Sequence, residues 1–442
     1  MITDDQLPEL ATLRKVESKY PFRVDPNYGS SVIFGNNSGL PIHRWFRYKE
    51  AFSADLLKQI LDVLPDGFGK QIRLLDPFCG VGTSLLAAQE IATQGYNIIA
   101  TGIEQNPFVA FVARAKVNWP EINARDLVRI GLSCEKKSKG ITKSIPPLSS
   151  LTSGKCISRY MSKRVLAIAE AVRSAGTSAT HNAIMLGLAS VIETVSNTRK
   201  DGRALRVVTK KRSELAVSLE MAWEAIAADT ALLQWCLPRS AIPKVILGDG
   251  RRPLCSGVQP GTIDLVITSP PYPNNIDYSE VYKLELWLLG LIKSQDSFLK
   301  LRKSTFRSHP TCAVPDDIKG FNAAIRRGFL KAVLDPIIGR TEKTSEPWRK
   351  RVLLGYFSDM WVALEEQKKC LKKGGYAVTV VGNSLHGSTD LPYLIPSDIT
   401  IAQIAERIGF RVHDIIISRP LKRRLSGNHF LRESIIILQK PR

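Results

Sequence analysis

With 442 residues, 44% of them hydrophobic, the chain can bury a full α/β core with insertions, and it needs no disulfide staples to do so. Lysine and arginine number 62 against 41 aspartates and glutamates, a formal charge of +21 that points to a polyanionic partner, nucleic acid first. No apolar run approaches the roughly 20 residues that span a bilayer, and the opening MITDDQLPEL is acidic and polar, so an unexported protein of the cytoplasm with no membrane partner is expected.

The cysteines at 79, 134, 156, 236, 255, 312 and 370 form no CxxC pair and no Cys/His cluster, which argues against a disulfide framework and a structural zinc site. Cys79 and Cys255 read as small buried residues. His43, His386 and His429 are dispersed and read as polar surface or cap residues, and no metal is expected.

Five short aliphatic runs look like buried parallel strands: IRLLD at 72–76, IIATGI at 98–103, KVILGD at 244–249, IDLVIT at 263–268 and GYAVTVV at 375–381. RVHDIIIS at 411–418 and ESIIILQ at 433–439 follow as an antiparallel edge pair. Helical patterns at 84–94, 107–117, 357–371 and 400–408 alternate with them, so a doubly wound α/β sheet is predicted. Residues 119–243 stand outside the alternation as a mostly helical insertion with a basic turn, NTRKDGRALR, at 197–206. A second insertion, 291–350, holds RKSTFRSHP and AIRRGFLKAV, and EKKSKGITKSIPPLSS at 135–150 has the composition of a linker.

Chemistry concentrates in two places. In LLDPFCGVGTSLLAA, 74–88, a strand turns into a helix; Gly80 and Gly82 permit a tight turn with close ligand approach, and Thr83 and Ser84 are positioned to cap the helix. The third glycine of the dinucleotide fingerprint is absent, while Glu104, ending the next strand, is placed to bond ribose hydroxyls. TSPPYPNNIDYSE, 268–280, follows the IDLVIT strand at the carboxyl end of the sheet, where open α/β folds bind ligands. The lone pair of a base amine is delocalised into its ring, so acceptors aimed at its hydrogens must draw the nitrogen toward tetrahedral geometry before it can attack a methyl group. Pro270 would offer a carbonyl stiffened by Pro271, Ser269 a side-chain oxygen, and Tyr272 a ring on which an extruded base stacks. No cysteine follows proline in this loop, which excludes cytosine C5 chemistry.

DPFCGVGT and TSPPY together resemble the cofactor and catalytic motifs of the S-adenosylmethionine-dependent DNA amino-methyltransferases. The resemblance covers about 40–118, 244–290 and 351–442 and implies a Rossmann-like sheet of seven strands with an antiparallel last hairpin. By position it places Asp76, Pro77, Phe78, Gly80, Gly82 and Thr83 around the methionine part of S-adenosylmethionine, Glu104 at the ribose, Asp249 at the adenine amine, and Ser269, Pro270, Pro271 and Tyr272 in the catalytic loop. HRWFRYKEAF, 43–52, sits where such enzymes close over the cofactor's amino-acid end, and KLELWLLG, 283–290, resembles the helix after the catalytic loop, with spacing that also suits plain core.

Serine at the head of the tetrapeptide is the form commonest in enzymes acting on cytosine N4, whereas aspartate is typical for adenine N6. The implied reaction is therefore site-specific methylation of cytosine N4 in a flipped-out base. An N6-adenine enzyme, an RNA guanine-N2 or adenine methyltransferase, and an inactive DNA-binding homologue are the alternatives. Implied partners are duplex DNA and a restriction endonuclease acting on the same site.

The expected organisation is an N-terminal segment with the first half of the core at 1–118, the helical insertion at 119–243, core with the catalytic loop at 244–290, the second insertion at 291–350 and the rest of the core at 351–442. Either insertion could read DNA. Arg419, Lys422, Arg423 and Arg424 in SRPLKRRLSGNH, 418–429, would grip phosphates or form a solvated loop.

Overall fold

The structure is a computed structural model and describes residues 7, 9–64, 71–200, 204–238, 240–274, 276–312, 331–342, 348–388, 390–421 and 429–442. Its main sheet has eight strands: β1 (Phe22–Val24), β2 (Ile72–Asp76), β3 (Ile98–Glu104), β4 (Lys244–Leu247), β5 (Ile263–Thr268), β6 (Leu371–Gly382), β7 (Arg411–Pro420) and β8 (Arg432–Gln439). They lie side by side in the order β1-β7-β8-β6-β5-β2-β3-β4. β8 runs antiparallel between β7 and β6, and the other pairings are parallel.

Seven of these strands fall on the expected runs; the eighth, FRV at 22–24, is a correction. It is three residues long and is fixed by pairing Phe22 with Ile415 and Val24 with Ile417, so its register is dictated by β7 and not by any pattern of its own. It also displaces the β7–β8 hairpin from the edge. KVIL is a second correction: as the opposite edge strand it is half exposed, because only β3 flanks it.

Period-2 alternation divides the central strands between two cores. Leu74, Leu265, Ile267, Val378, Val380, Ile435 and Ile437 face one, and Leu75, Val266, Ala377, Val381, Ile436 and Leu438 the other. Helices α1 (Thr83–Glu90) and α2 (Pro107–Val117) cover the first face, and α7 (Trp348–Cys370) and α8 (Ser397–Ile408) the second. The Leu10–Glu17 and Lys331–Glu342 helices join α7 and α8.

Four long helices occupy most of the first insertion: α3 (Ala124–Ser138), α4 (Arg159–Ala175), α5 (Ala179–Val195) and α6 (Leu215–Cys236). Their buried residues belong to the same cluster as the first face of the sheet, so they extend that core. α3 runs into the stretch read as a linker, and the reason is local. Its buried stripe is Leu127, Gly131, Cys134 and Ser138, of which the last three are small and carry little apolar signal, and Gly131 is pressed so close to Trp223 that an added Cβ would lie 2.7 Å from the indole. The basic turn of this insertion is a hairpin, Thr198–Lys200 against Leu205–Val207, part of whose loop lies outside the described residues.

Two polar residues differ from expectation. His43 is buried and bonds Glu90 at 3.0 Å, while Cys255 is exposed. No helix among the described residues is long and apolar enough to cross a membrane.

Candidate active site

At the carboxyl ends of β2, β3, β4 and β5 a cavity of about 390 Å³ opens, within the range of small-molecule sites. The loop after β2 contributes Asp76, Pro77, Phe78, Gly80 and Thr83 to its lining, β3 gives Glu104, the turn after β4 gives Asp249, and the loop after β5 gives Ser269, Pro270, Pro271 and Tyr272.

Gly80 and Gly82 have φ of 52° and 84°, the left-handed values a tight strand-to-helix turn requires. Gly82 does not line the cavity: its open side faces Ala113 and Val117, so it lets α1 pack against α2. Nor do Thr83 and Ser84 cap α1. Gly82 is the N-cap, and the Ser84 hydroxyl instead donates to Asp76, which also accepts the Phe78 N–H at 3.1 Å. Asp76 therefore ties the end of β2 to both sides of the turn.

Burial pushes the Asp76 carboxyl up to about 6 and that of Glu104 up to about 7. For Glu104 the N–H groups of Asn106, Gln105 and Gly80 oppose this, the first at 2.7 Å. Asp249 is held by the fork of Arg251, whose Nε and Nη2 both lie 2.9 Å from its oxygens. Arg251 also reaches Asp359 and the Ser304 carbonyl, at 3.0 and 2.8 Å. That network draws the second insertion to the cavity, where Phe306 meets Phe78 edge to face at 5.5 Å. Behind it, Gly250 passes so near the Pro77 carbonyl that a Cβ would sit 1.8 Å away, so only glycine lets these two loops close.

The loop after β5 is organised by a hydrogen-bond chain. The Ser269 hydroxyl donates to the Tyr272 phenol oxygen at 3.3 Å, the phenol donates to Glu433 at 2.9 Å, and the other Glu433 oxygen accepts from Arg419 Nε at 2.7 Å. With its proton directed at Tyr272, Ser269 keeps its lone pairs available as acceptors. Glu433 and Arg419 also line the cavity, although neither belongs to the two sequence motifs; they form a cross-strand pair of β7 and β8. Their signal in the sequence is a charged residue beside each apolar run. Arg419 thus faces the cleft, while Lys422, Arg423 and Arg424 lie outside the described residues.

The segment 48–52 lines the opposite wall. Tyr48 abuts Gly80 and stacks on Tyr282 at 5.5 Å, and Tyr282 donates to half-buried Glu50 at 3.3 Å. Burial raises the Glu50 carboxyl above its ordinary value.

No protein-family profile matches the chain. Curated proteins do, among them two Type II methyltransferases. Type II methyltransferase M.AvaI of Nostoc sp. is 26% identical over 93% of this chain and 89% of its own length. Type II methyltransferase M.BsoBI of Geobacillus stearothermophilus is 26% identical over 98% of this chain and 93% of its own. Among solved structures, the rRNA methyltransferase AviRa of Streptomyces viridochromogenes overlaps 88% of this chain and 85% of its own at 12% identity, with a TM-score of 0.29, too low to bear on the fold. The sequence likeness runs through the insertions as well as the sheet. Over nearly its whole length the chain is thus similar to Type II methyltransferases.

Proposed function

We propose that this protein transfers a methyl group from S-adenosylmethionine to the exocyclic N4 amine of cytosine in duplex DNA, with the target base turned out of the helix. The observation that carries the reading is that the glycine turn after β2 and the Ser269–Tyr272 loop after β5 share one cavity.

The lining fits such a cofactor. Glu104 offers a carboxylate to the ribose hydroxyls, Phe78 and Phe306 an aromatic wall, Asp249 the remaining lone pairs of a fixed carboxylate to the adenine amine, and the positive-φ turn at Gly80 an approachable backbone for the methionine part. When bound, the cofactor supplies an electrophilic methyl group on a sulfonium. Ser269 and the Pro270 carbonyl accept the hydrogens of the base amine and draw its nitrogen out of conjugation. Tyr272 offers a ring face, and Glu433 with Arg419 keeps its hydroxyl oriented. Cytosine is preferred on the neutral serine at position 269, by resemblance to enzymes acting on that base. The two insertions supply DNA contacts, and a restriction endonuclease sharing the recognition site is the natural companion.

The test is incubation of plasmid DNA with the protein and labelled S-adenosylmethionine, followed by nucleoside mass spectrometry. N4-methylcytosine is expected. N6-methyladenine would move the target to adenine, and label entering RNA but not DNA would overturn the substrate class.

Cofactor binding should also depend on pH. The free protein holds a proton on Glu104 below about 7. Binding through the carboxylate must expel that proton, so affinity should weaken as pH falls through that value, by at most about tenfold per unit. Isothermal titration measures this, and Glu104→Gln should remove the dependence. An affinity in the unmodified protein that is flat across this window would rule out the ribose role.

A further inference from the structure

We propose that the paired strands Thr198–Lys200 and Leu205–Val207 of the first insertion, with the basic residues just after them, form a clamp for the DNA backbone at the mouth of the cleft; the identity of the polyanion rests on the function proposed above.

The hairpin is rooted in the cleft wall. Lys49, which lines the cavity, donates to the Lys200 carbonyl at 2.7 Å. The Lys200 ammonium lies 4.9 Å from the centre of the Tyr282 ring and 5.1 Å from that of Phe46, and pairs with buried Glu285. Tyr282 in turn donates to Glu50 of the cavity lining. One side chain thus fixes the hairpin to the aromatic wall behind the cofactor cleft.

Its outward surface carries excess positive charge. Arg199 stands directly opposite Arg206 across the two strands, and both are exposed. Lys211 and Arg212 follow, also exposed. Among the described residues no ion pair engages Arg199, Lys211 or Arg212, and Glu193 and Glu285 are both turned to Lys200. Burial holds the nearby Lys210 ammonium below its ordinary value, opposed by Glu193 and aided by Arg199 and Lys200. Such a surface is suited to a row of phosphates. It reads no bases, and its contribution should be independent of sequence.

The experiment is a salt titration of duplex binding by the full-length protein, read by fluorescence anisotropy with a labelled duplex. In the triple variant Arg199→Gln, Lys211→Gln, Arg212→Gln, the slope of log affinity against log salt should become shallower by about 0.9 for each phosphate that is no longer neutralised. Unrelated and target duplexes should weaken alike, S-adenosylmethionine binding should be unchanged, and Arg199→Lys with Arg212→Lys should retain the slope. A triple variant with an unaltered melting curve and an unaltered slope would overturn the clamp, as would absence of duplex binding by the wild-type protein. The readout is binding alone, so a wild-type protein that binds duplex but leaves it unmethylated would sink the proposed reaction and leave the clamp standing.

Discussion

Ser269→Ala should slow methyl transfer by roughly 100-fold in single-turnover assays, the scale seen when one preorganised polar group is removed from a reaction centre, while cofactor affinity stays unchanged. The expectation follows from the direction of the hydrogen-bond chain. Because Ser269 donates to Tyr272 and Tyr272 to Glu433, the serine oxygen can serve the base amine only as an acceptor. Tyr272→Phe keeps the ring but leaves the serine proton without its partner, so it should cost about tenfold, near the net value of one hydrogen bond. Tyr272→Ala removes the stacking face as well and should approach the serine variant in severity. Full activity in both alanine variants would eliminate this loop as the reaction centre.

The strands are legible where both faces are buried. IDLVIT and IRLLD are mostly apolar because a parallel strand between two helical layers meets core on either side. FRV and KVIL are harder to read because an edge strand is specified by its neighbour's backbone, and its own side chains carry little of that information. The hairpin Ser384–Gly387 with Pro392–Ile395 escapes the pattern for a related reason: four-residue strands joined by a short turn contain no period to detect.

At the cavity, the motif residues are legible because glycine and proline encode backbone geometry locally. The glycine motif nevertheless hides a division of labour. Gly80 faces the cavity and Gly82 faces α2, although both have left-handed φ. Glu433, Arg419, Phe306 and Tyr48 reach the site from four separate stretches of chain, and their convergence is a property of the packed sheet.

Asp229→Ala should both destabilise the protein and weaken S-adenosylmethionine binding, although Asp229 lies in α6 and does not line the cavity. Its buried carboxylate accepts the Ile42 N–H at 3.2 Å, Arg44 Nε at 2.9 Å and Trp45 Nε1 at 3.0 Å, with a further contact from the Arg44 fork. These donors belong to three residues of the stretch 42–45, which leads into the cavity-lining segment 48–52. Among the described residues Ile42 is the one non-glycine with positive φ, 61°, a conformation that persists only where its surroundings hold it. From the other side Lys116, which burial pushes down to about 7, donates to the His43 and Phe46 carbonyls at 2.8 and 3.2 Å. Removing the aspartate leaves two buried N–H groups without acceptors. Arg44 is half exposed and can rehydrate, so the loss should be about 2–4 kcal/mol in urea unfolding, set by the two N–H groups. Asp229→Asn keeps one acceptor oxygen and should fall between alanine and wild type. If the urea midpoint drops while cofactor affinity does not, Asp229 is a stability residue alone, and the coupling of the insertion to the cofactor wall is wrong.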